Sequence, residues 1–292
     1  MLNHFQPVYL SRFDAILNSS STSSSTLLAC QVAVPSVRCA SDKFNHIDRM
    51  IAKVSAQLDQ APADMVILPE LCTIEYSRQT FEGLAELAED LDGPSMEKMR
   101  ALATSHQTAV VFGMPRVSDG QYFISQVAID ADGNLLACYD KLHICHYGAS
   151  MEKEFFKPGR STRIFSVAGF RFAPIICYDI RFPELSRSLT LEGAADCILH
   201  CGAYYRDESF ASWHAFVITR ALENQLYLLS LNRAGEHFGD SIYCPPWMDE
   251  EHPVTHFATH DEDFQYLIID RSKIETAREQ YTFLEDRLSE YR

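Results

Sequence analysis

The chain has 292 residues, 47% of them hydrophobic, which suffices for one sizeable core. A formal net charge of −15 without any basic block argues against nucleic-acid partners, because such binders neutralise phosphate with Lys and Arg. No apolar run is long enough to cross a bilayer, and nine cysteines, an odd number spread from Cys30 to Cys244, fit free thiols in a reducing cytoplasm rather than a disulfide framework.

Residues 1–26 read as a separate tail. Its core, "NSSSTSSST", is low-complexity Ser/Thr with nothing to bury and is expected to be a disordered extension. A transit peptide would be richer in Arg than a segment holding only Arg12 beside Asp14. Residues 27–292 are expected to form a single domain.

The apolar run "LLACQVAV" at 27–34 predicts a buried strand. A helix follows over about 42–58, where Ile47, Met50, Ile51 and Val54 recur at helical spacing. "DMVILPE" at 64–70 is a second short strand, stopped by Pro69. Helical segments at about 80–90 and 95–106 precede three strands at 108–117, 122–130 and 134–141, the last two joined by the turn "DADGN". An irregular stretch, 142–159, leads to two strands flanking Gly169, the second running to Cys177. A helix can start at Pro183, where the missing N–H costs nothing. Strands at 196–201 and 226–232 bracket a helix starting near Asp207, with Phe210, Trp213, Val217 and Ala221 on one face. Strands near 241–244 and at 264–270 complete the order. Apolar strands alternating with helices imply sheets covered by helices, a layered α/β domain.

Three segments place ionisable groups at the ends of apolar strands: Glu70 in "VILPELC", Lys141 in "ACYDKLH" and Cys177 in "PIICYDIRF". Strand ends of α/β sheets converge on one crevice. A carboxylate, an ammonium and a thiol meeting there would suffice for acyl transfer, as base, oxyanion partner and nucleophile. Taken alone, each has an ordinary structural reading: a core thiol, a helix-entry carboxylate, a solvated lysine.

Together, "LPEL", "YDKLH" and "CYDIRFPEL" resemble the signature of the nitrilase superfamily of carbon–nitrogen hydrolases, and the match runs from about residue 27 to 270. The resemblance implies a four-layer α-β-β-α sandwich, with Cys177 as nucleophile, Glu70 as general base and Lys141 as oxyanion stabiliser. The N–H of Tyr178 would be the second oxyanion donor. A further family glutamate precedes a Pro-Gly pair; in "EKEFFKPG" that offset designates Glu154, with Glu152 the second choice. The implied mechanism uses no cofactor and no metal, and family members pair through helices into a homodimer or larger even assembly.

Arg181, four residues past the nucleophile, resembles the position that grips the substrate carboxylate in omega-amidases. A guanidinium fork fits a carboxylate. A short dicarboxylate monoamide, such as 2-oxoglutaramate or succinamate, is therefore the leading substrate class. An N-carbamoyl amino acid is the alternative, although Ile180 stands where those hydrolases carry a first arginine. The structural alternative for Arg181 is a brace on Asp179 or Glu184. The chain departs from the family pattern after "LNRAG", where "EHFGDSIYCPPWMDEEHPVTHF" (236–257) replaces the usual turn. Three other readings of these residues compete. Histidines in "HICH" and "HPVTHFATH" lack strong zinc spacing; a papain-like site would need a His and an Asn presented to Cys177; and a silent scaffold on the same fold would have no use for the intact Glu–Lys–Cys set.

Overall fold

Along the first strand, Leu27 and Ala29 point one way and Leu28 and Cys30 the other, and all four are fully buried. A strand apolar on both faces needs cover on both sides. The computed structural model, which describes residues 23–288 and residue 290, supplies it as two stacked sheets with helices outside them.

The first sheet contains β1 (Ser24–Gln31), β2 (Met65–Ile67), β3 (Ala109–Ser118), β4 (Gln121–Ile129) and β5 (Leu135–Asp140). The second contains β6 (Phe165–Val167), β7 (Phe170–Ile176), β8 (Cys197–Cys201), β9 (Tyr227–Leu231), β10 (Ile242–Cys244) and β11 (Thr255–His256). The chain then returns through β12 (Asp263–Asp270) to pair antiparallel with β1. The orders are β12-β1-β2-β3-β4-β5 and β11-β10-β9-β8-β7-β6. The middle of each sheet is parallel: β1, β2 and β3 in one, β7, β8 and β9 in the other.

Leu27, Ala29, Met65, Ile67 and Val111 face Phe172, Leu199, Leu229 and Leu231 between the sheets. Outside the first sheet, α1 (Ala40–Leu58) lays Ile47, Met50 and Val54 on Leu28, Cys30 and Val66. The next helices, α2 (Arg78–Glu82) and α3 (Leu84–Leu87), split at Gly83 the single helix expected over 80–90. The face is completed by α4 (Pro94–His106), whose Met96, Met99 and Leu102 join the same cluster. A one-turn helix α5 (Glu152–Phe155) interrupts the stretch expected to be irregular. Outside the second sheet lie α6 (Pro183–Leu191) and α7 (Trp213–Asn224), packed on Ile175, Ile198 and Leu228. The expected four layers are therefore present. After β12 come α8 (Arg271–Gln280), which the sequence reading passed over, and α9 (Phe283–Asp286).

One boundary differs from expectation. The sequence predicts a tail over 1–26, but Ser24, Ser25 and Thr26 belong to β1. They pair with Ile268, Ile269 and Asp270, and Asp64 accepts both Ser25 Oγ–H and Thr26 N–H. Residues 1–22 lie outside the described residues. The helix expected near Asp207 begins there as a 3₁₀ turn, Phe210–Ser212, and becomes α-helical at Trp213; Asp207 leads into that turn by accepting Ser209 N–H and Oγ–H at 2.8 and 2.7 Å. The 281–287 segment docks on the body: Tyr281 stacks on Trp247 of the divergent loop with ring centres 3.6 Å apart.

If the inter-sheet layer carries the stability, Leu199→Ala will lose about 2–5 kcal/mol in denaturant-induced unfolding. Leu135→Ala, at a position 44% exposed, will lose under about 0.5 kcal/mol.

Candidate active site

Glu70, Lys141 and Cys177 each lie just past the end of a strand, β2, β5 and β7, and the sandwich brings these ends together. Lys141 Nζ donates to Glu70 Oε1 at 2.9 Å and to Glu152 Oε1 at 2.7 Å, and all three side chains are fully buried. The remaining carboxylate oxygens are also satisfied. Glu70 Oε2 accepts Ala203 N–H at 2.7 Å. Glu152 accepts Tyr76 O–H at 2.8 Å and Cys145 N–H at 2.9 Å.

The second glutamate of the cluster is thus Glu152, and the expectation of Glu154 is corrected. Glu154 sits on the surface, paired with the exposed Arg78 at 2.6 Å. The reason is local: both residues belong to the four-residue α5, and helix positions two apart point to opposite sides. Only one can face Lys141, and the offset from Pro158 does not say which.

Cys177 opens a 3₁₀ turn, Cys177–Arg181, at the end of β7, with φ +45°. Left-handed backbone at a non-glycine residue is strained and persists where surrounding contacts impose it. Those contacts are present. Asp179 turns back to accept Ile176 N–H at 3.0 Å, Tyr139 O–H at 2.7 Å and His143 N–H at 2.9 Å. The Cys177 carbonyl accepts Tyr204 O–H at 2.8 Å. From behind, Arg220 donates to the carbonyls of Ile180 and Arg181.

Cys177 and Glu152 line a cavity of about 40 Å³ together with Tyr76, Cys145, Tyr147 and Tyr204. Burial, and then the charge of Glu70, push the Cys177 thiol well above its ordinary pKa, with Lys141 opposing. The resting group is therefore a thiol that needs a base at the moment of attack. Burial also raises the Glu70 carboxyl, assisted by Glu152 and opposed by Lys141. For Lys141, burial acts to lower the pKa, but Glu152 and Glu70 more than reverse it, so the ammonium keeps its proton.

Tyr178 lines the same cavity, but Arg181 does not. Its guanidinium lies behind the wall, donating to Ser212 Oγ at 2.7 Å and to the Ser209 carbonyl at 3.2 Å, over the Phe216 ring. In a 3₁₀ turn residues three apart eclipse, so Ile180 falls beneath Cys177 and Arg181 is rotated aside. Neither Asp179 nor Glu184 braces it.

Sequence reading missed several residues that build the site. Arg233, inside the noticed "LNRAG" segment, is buried and reaches from the end of β9 to the carbonyls of Leu71 and Ile74, both at 2.6 Å, clamping the turn that carries Glu70. Gly113 lets β3 pass that turn: a Cβ there would lie 2.4 Å from Leu71 N and 2.5 Å from Pro69 O. Asp207 joins the cavity wall from its turn and receives Ala149 N–H. His143 of "HICH" is occupied by Asp179 and stacks on Phe182.

A two-sheet sandwich with a carboxylate–lysine–carboxylate cluster beside a strand-end thiol defines a class, and comparison with known proteins agrees. Residues 29–274 match the carbon-nitrogen hydrolase family, and the chain belongs to it. The expectation of a carbon–nitrogen hydrolase is borne out at that level. The chain is similar to the 2-oxoglutaramate amidase of Bacillus subtilis (30% identical over 192 residues, 63% of this chain and 71% of that one). It is also similar to the omega-amidase NIT2 of Bos taurus (26% over 272 residues, 89% and 95%). A hydrolase in the pqqF 5′ region of Pseudomonas protegens is 34% identical over 189 residues, 64% of each chain. Among solved structures, Saccharomyces cerevisiae Nit3, a member of branch 10 of the nitrilase superfamily, shares the fold with a TM-score of 0.77 at 22% identity, covering 89% of this chain and 95% of that one.

Two substitutions separate the adjacent glutamates. Glu152→Gln, which breaks the hold on Lys141, will lower kcat for an amide by about 10²-fold or more, whereas Glu154→Gln will leave it near wild type. Gly113→Ala will displace the Glu70 turn, lowering both kcat and the unfolding midpoint in the same preparation.

Proposed function

We propose that the protein is an amidase that hydrolyses a small linear amide through a thioester on Cys177. The observation that carries this reading is the buried Lys141 ammonium held by Glu70 and Glu152 beside the Cys177 thiol. Glu70 takes the thiol proton as sulfur adds to the amide carbonyl. The developing oxyanion accepts from Lys141 Nζ and Tyr178 N–H, while Glu152 holds the lysine in place. Glu70 then passes its proton to the leaving ammonia. Water activated by Glu70 adds to the thioester, releasing the acid and restoring the thiol.

The substrate class we propose is a carboxylate-bearing amide such as a dicarboxylate monoamide. The names of two relatives, a 2-oxoglutaramate amidase and an omega-amidase, support it. So does the position of Arg181 directly behind Ser209 of the cavity wall, with its buried Nε lacking a partner. In this reading the substrate carboxylate replaces the Ser209 and Ser212 contacts. Pairing of two copies through helices, with Leu191 of α6 39% exposed, belongs to the same proposal and is checked by light scattering.

Ammonia release will be measured from 2-oxoglutaramate, succinamate, an N-carbamoyl amino acid and a neutral aliphatic amide. Release from the monoamides, absent in Cys177→Ala and with raised KM in Arg181→Ala, is the expected result. Release from the carbamoyl substrate alone would replace the substrate class, and release from the neutral amide alone would remove Arg181 from it. The pH profile adds a separate check. The base works deprotonated and its pKa is raised, so activity will fall with decreasing pH along a limb above the ordinary glutamate value of about 4.3. A limb at or below that value would contradict Glu70 as the base.

A further inference from the structure

His200, at the fourth position of β8, takes no part in the mechanism above, yet it is fully buried directly behind the nucleophile. Its Nε2 lies 2.9 Å from the Cys177 carbonyl oxygen and its Nδ1 2.7 Å from Ser230 Oγ. Ser230 Oγ in turn receives Trp213 Nε1–H at 2.9 Å. Only one proton arrangement satisfies this chain. A carbonyl can only accept, so Nε2 carries the hydrogen. The indole N–H can only donate, so Ser230 accepts it and directs its own hydrogen to Nδ1. The imidazole is therefore neutral with a single tautomer, and burial pushes its pKa down to about 4. Trp213 also backs the second donor to the same carbonyl, because the Tyr204 ring stacks on it at 4.6 Å.

What this clamps is a peptide unit. The Cys177–Tyr178 peptide is trans and planar, so its N–H points away from its C=O. Tyr178 is the second residue of the 3₁₀ turn, where an N–H has no acceptor within the turn. Pinning the carbonyl toward β8 and Tyr204 leaves that N–H directed to the opposite side. We propose that His200, oriented by Ser230 and Trp213, is a positioning residue that locks the Cys177–Tyr178 peptide and thereby aims the Tyr178 N–H at the oxyanion. The proposal rests on the reading of Cys177 as nucleophile and extends it to a residue that touches neither substrate nor thiol.

The test compares wild type with His200→Leu, which removes the donor, His200→Gln, which keeps one, Ser230→Ala, which frees the tautomer, and Cys177→Ala. Amide hydrolysis is read beside the rate of Cys177 alkylation by iodoacetamide, a displacement that forms no oxyanion. His200→Leu is expected to lower kcat by about 10²-fold, with KM and alkylation near wild type, and His200→Gln to recover much of the loss. Imidazole ¹⁵N NMR of the wild type will show His200 as the Nε2–H tautomer, and Ser230→Ala will show a mixture. This readout serves even if His200→Leu does not fold. Wild-type kcat in His200→Leu, a parallel fall of kcat and alkylation in that folded variant, or an Nδ1–H tautomer in the wild type would overturn the proposal. Activity surviving in Cys177→Ala would instead remove the nucleophile reading on which it rests. Loss in Cys177→Ala with full activity in His200→Leu would remove the clamp alone.

Discussion

One ammonium between two carboxylates, all three fully buried, is the constraint on which the site depends. Removing three charges from solvent is expensive, and their mutual attraction offsets the cost only when every remaining polar atom is also bonded. Here Ala203 N–H, Cys145 N–H and Tyr76 O–H complete the set around Lys141, Glu70 and Glu152. These three donors come from the end of β8, the loop after β5 and the loop after β2, so the cluster ties both sheets and the loop over the cavity into one geometry. The two carboxylates keep Lys141 protonated against its burial, and burial, reinforced by Glu70, keeps the Cys177 thiol neutral at rest.

The architecture serves that cluster by controlling strand ends. The parallel centre of each sheet directs the C-terminal ends of β2 and β7 toward the same crevice, the general location of sites in α/β folds. Each end is then held from the opposite sheet or from behind. Arg233, leaving the second sheet, fixes the Glu70 turn of the first, and Gly113 permits the close backbone approach beside it. Gly159 does the same for the lysine, donating to the Lys141 carbonyl at 2.8 Å where any Cβ would strike the Asp140 carbonyl. The strained Cys177 turn has the densest support of the three, with Asp179, Tyr204, His200 and Arg220 all bonded to its backbone. Buried polar groups that are fully satisfied make a site rigid, and rigidity is what oxyanion stabilisation requires.

What the amino-acid sequence determined by itself was the alternation of apolar strands and amphipathic helices, the four-layer arrangement implied by the resemblance, and the strand-end positions of Glu70, Lys141 and Cys177. The alternation and the strand-end positions were legible because hydrophobic period and strand termination are local properties, whereas the four layers came from the resemblance alone. A boundary was less legible where a distant strand recruits Ser/Thr residues, as at Ser24, Ser25 and Thr26. Only the tertiary structure decided which of Glu152 and Glu154 faces Lys141, whether Arg181 lines the cavity, and what Arg233 and His200 hold. Each of those outcomes depends on the angle at which a short turn is presented to groups far away in the chain. No spacing within one segment encodes that angle; it is set by the packing of the two sheets against each other.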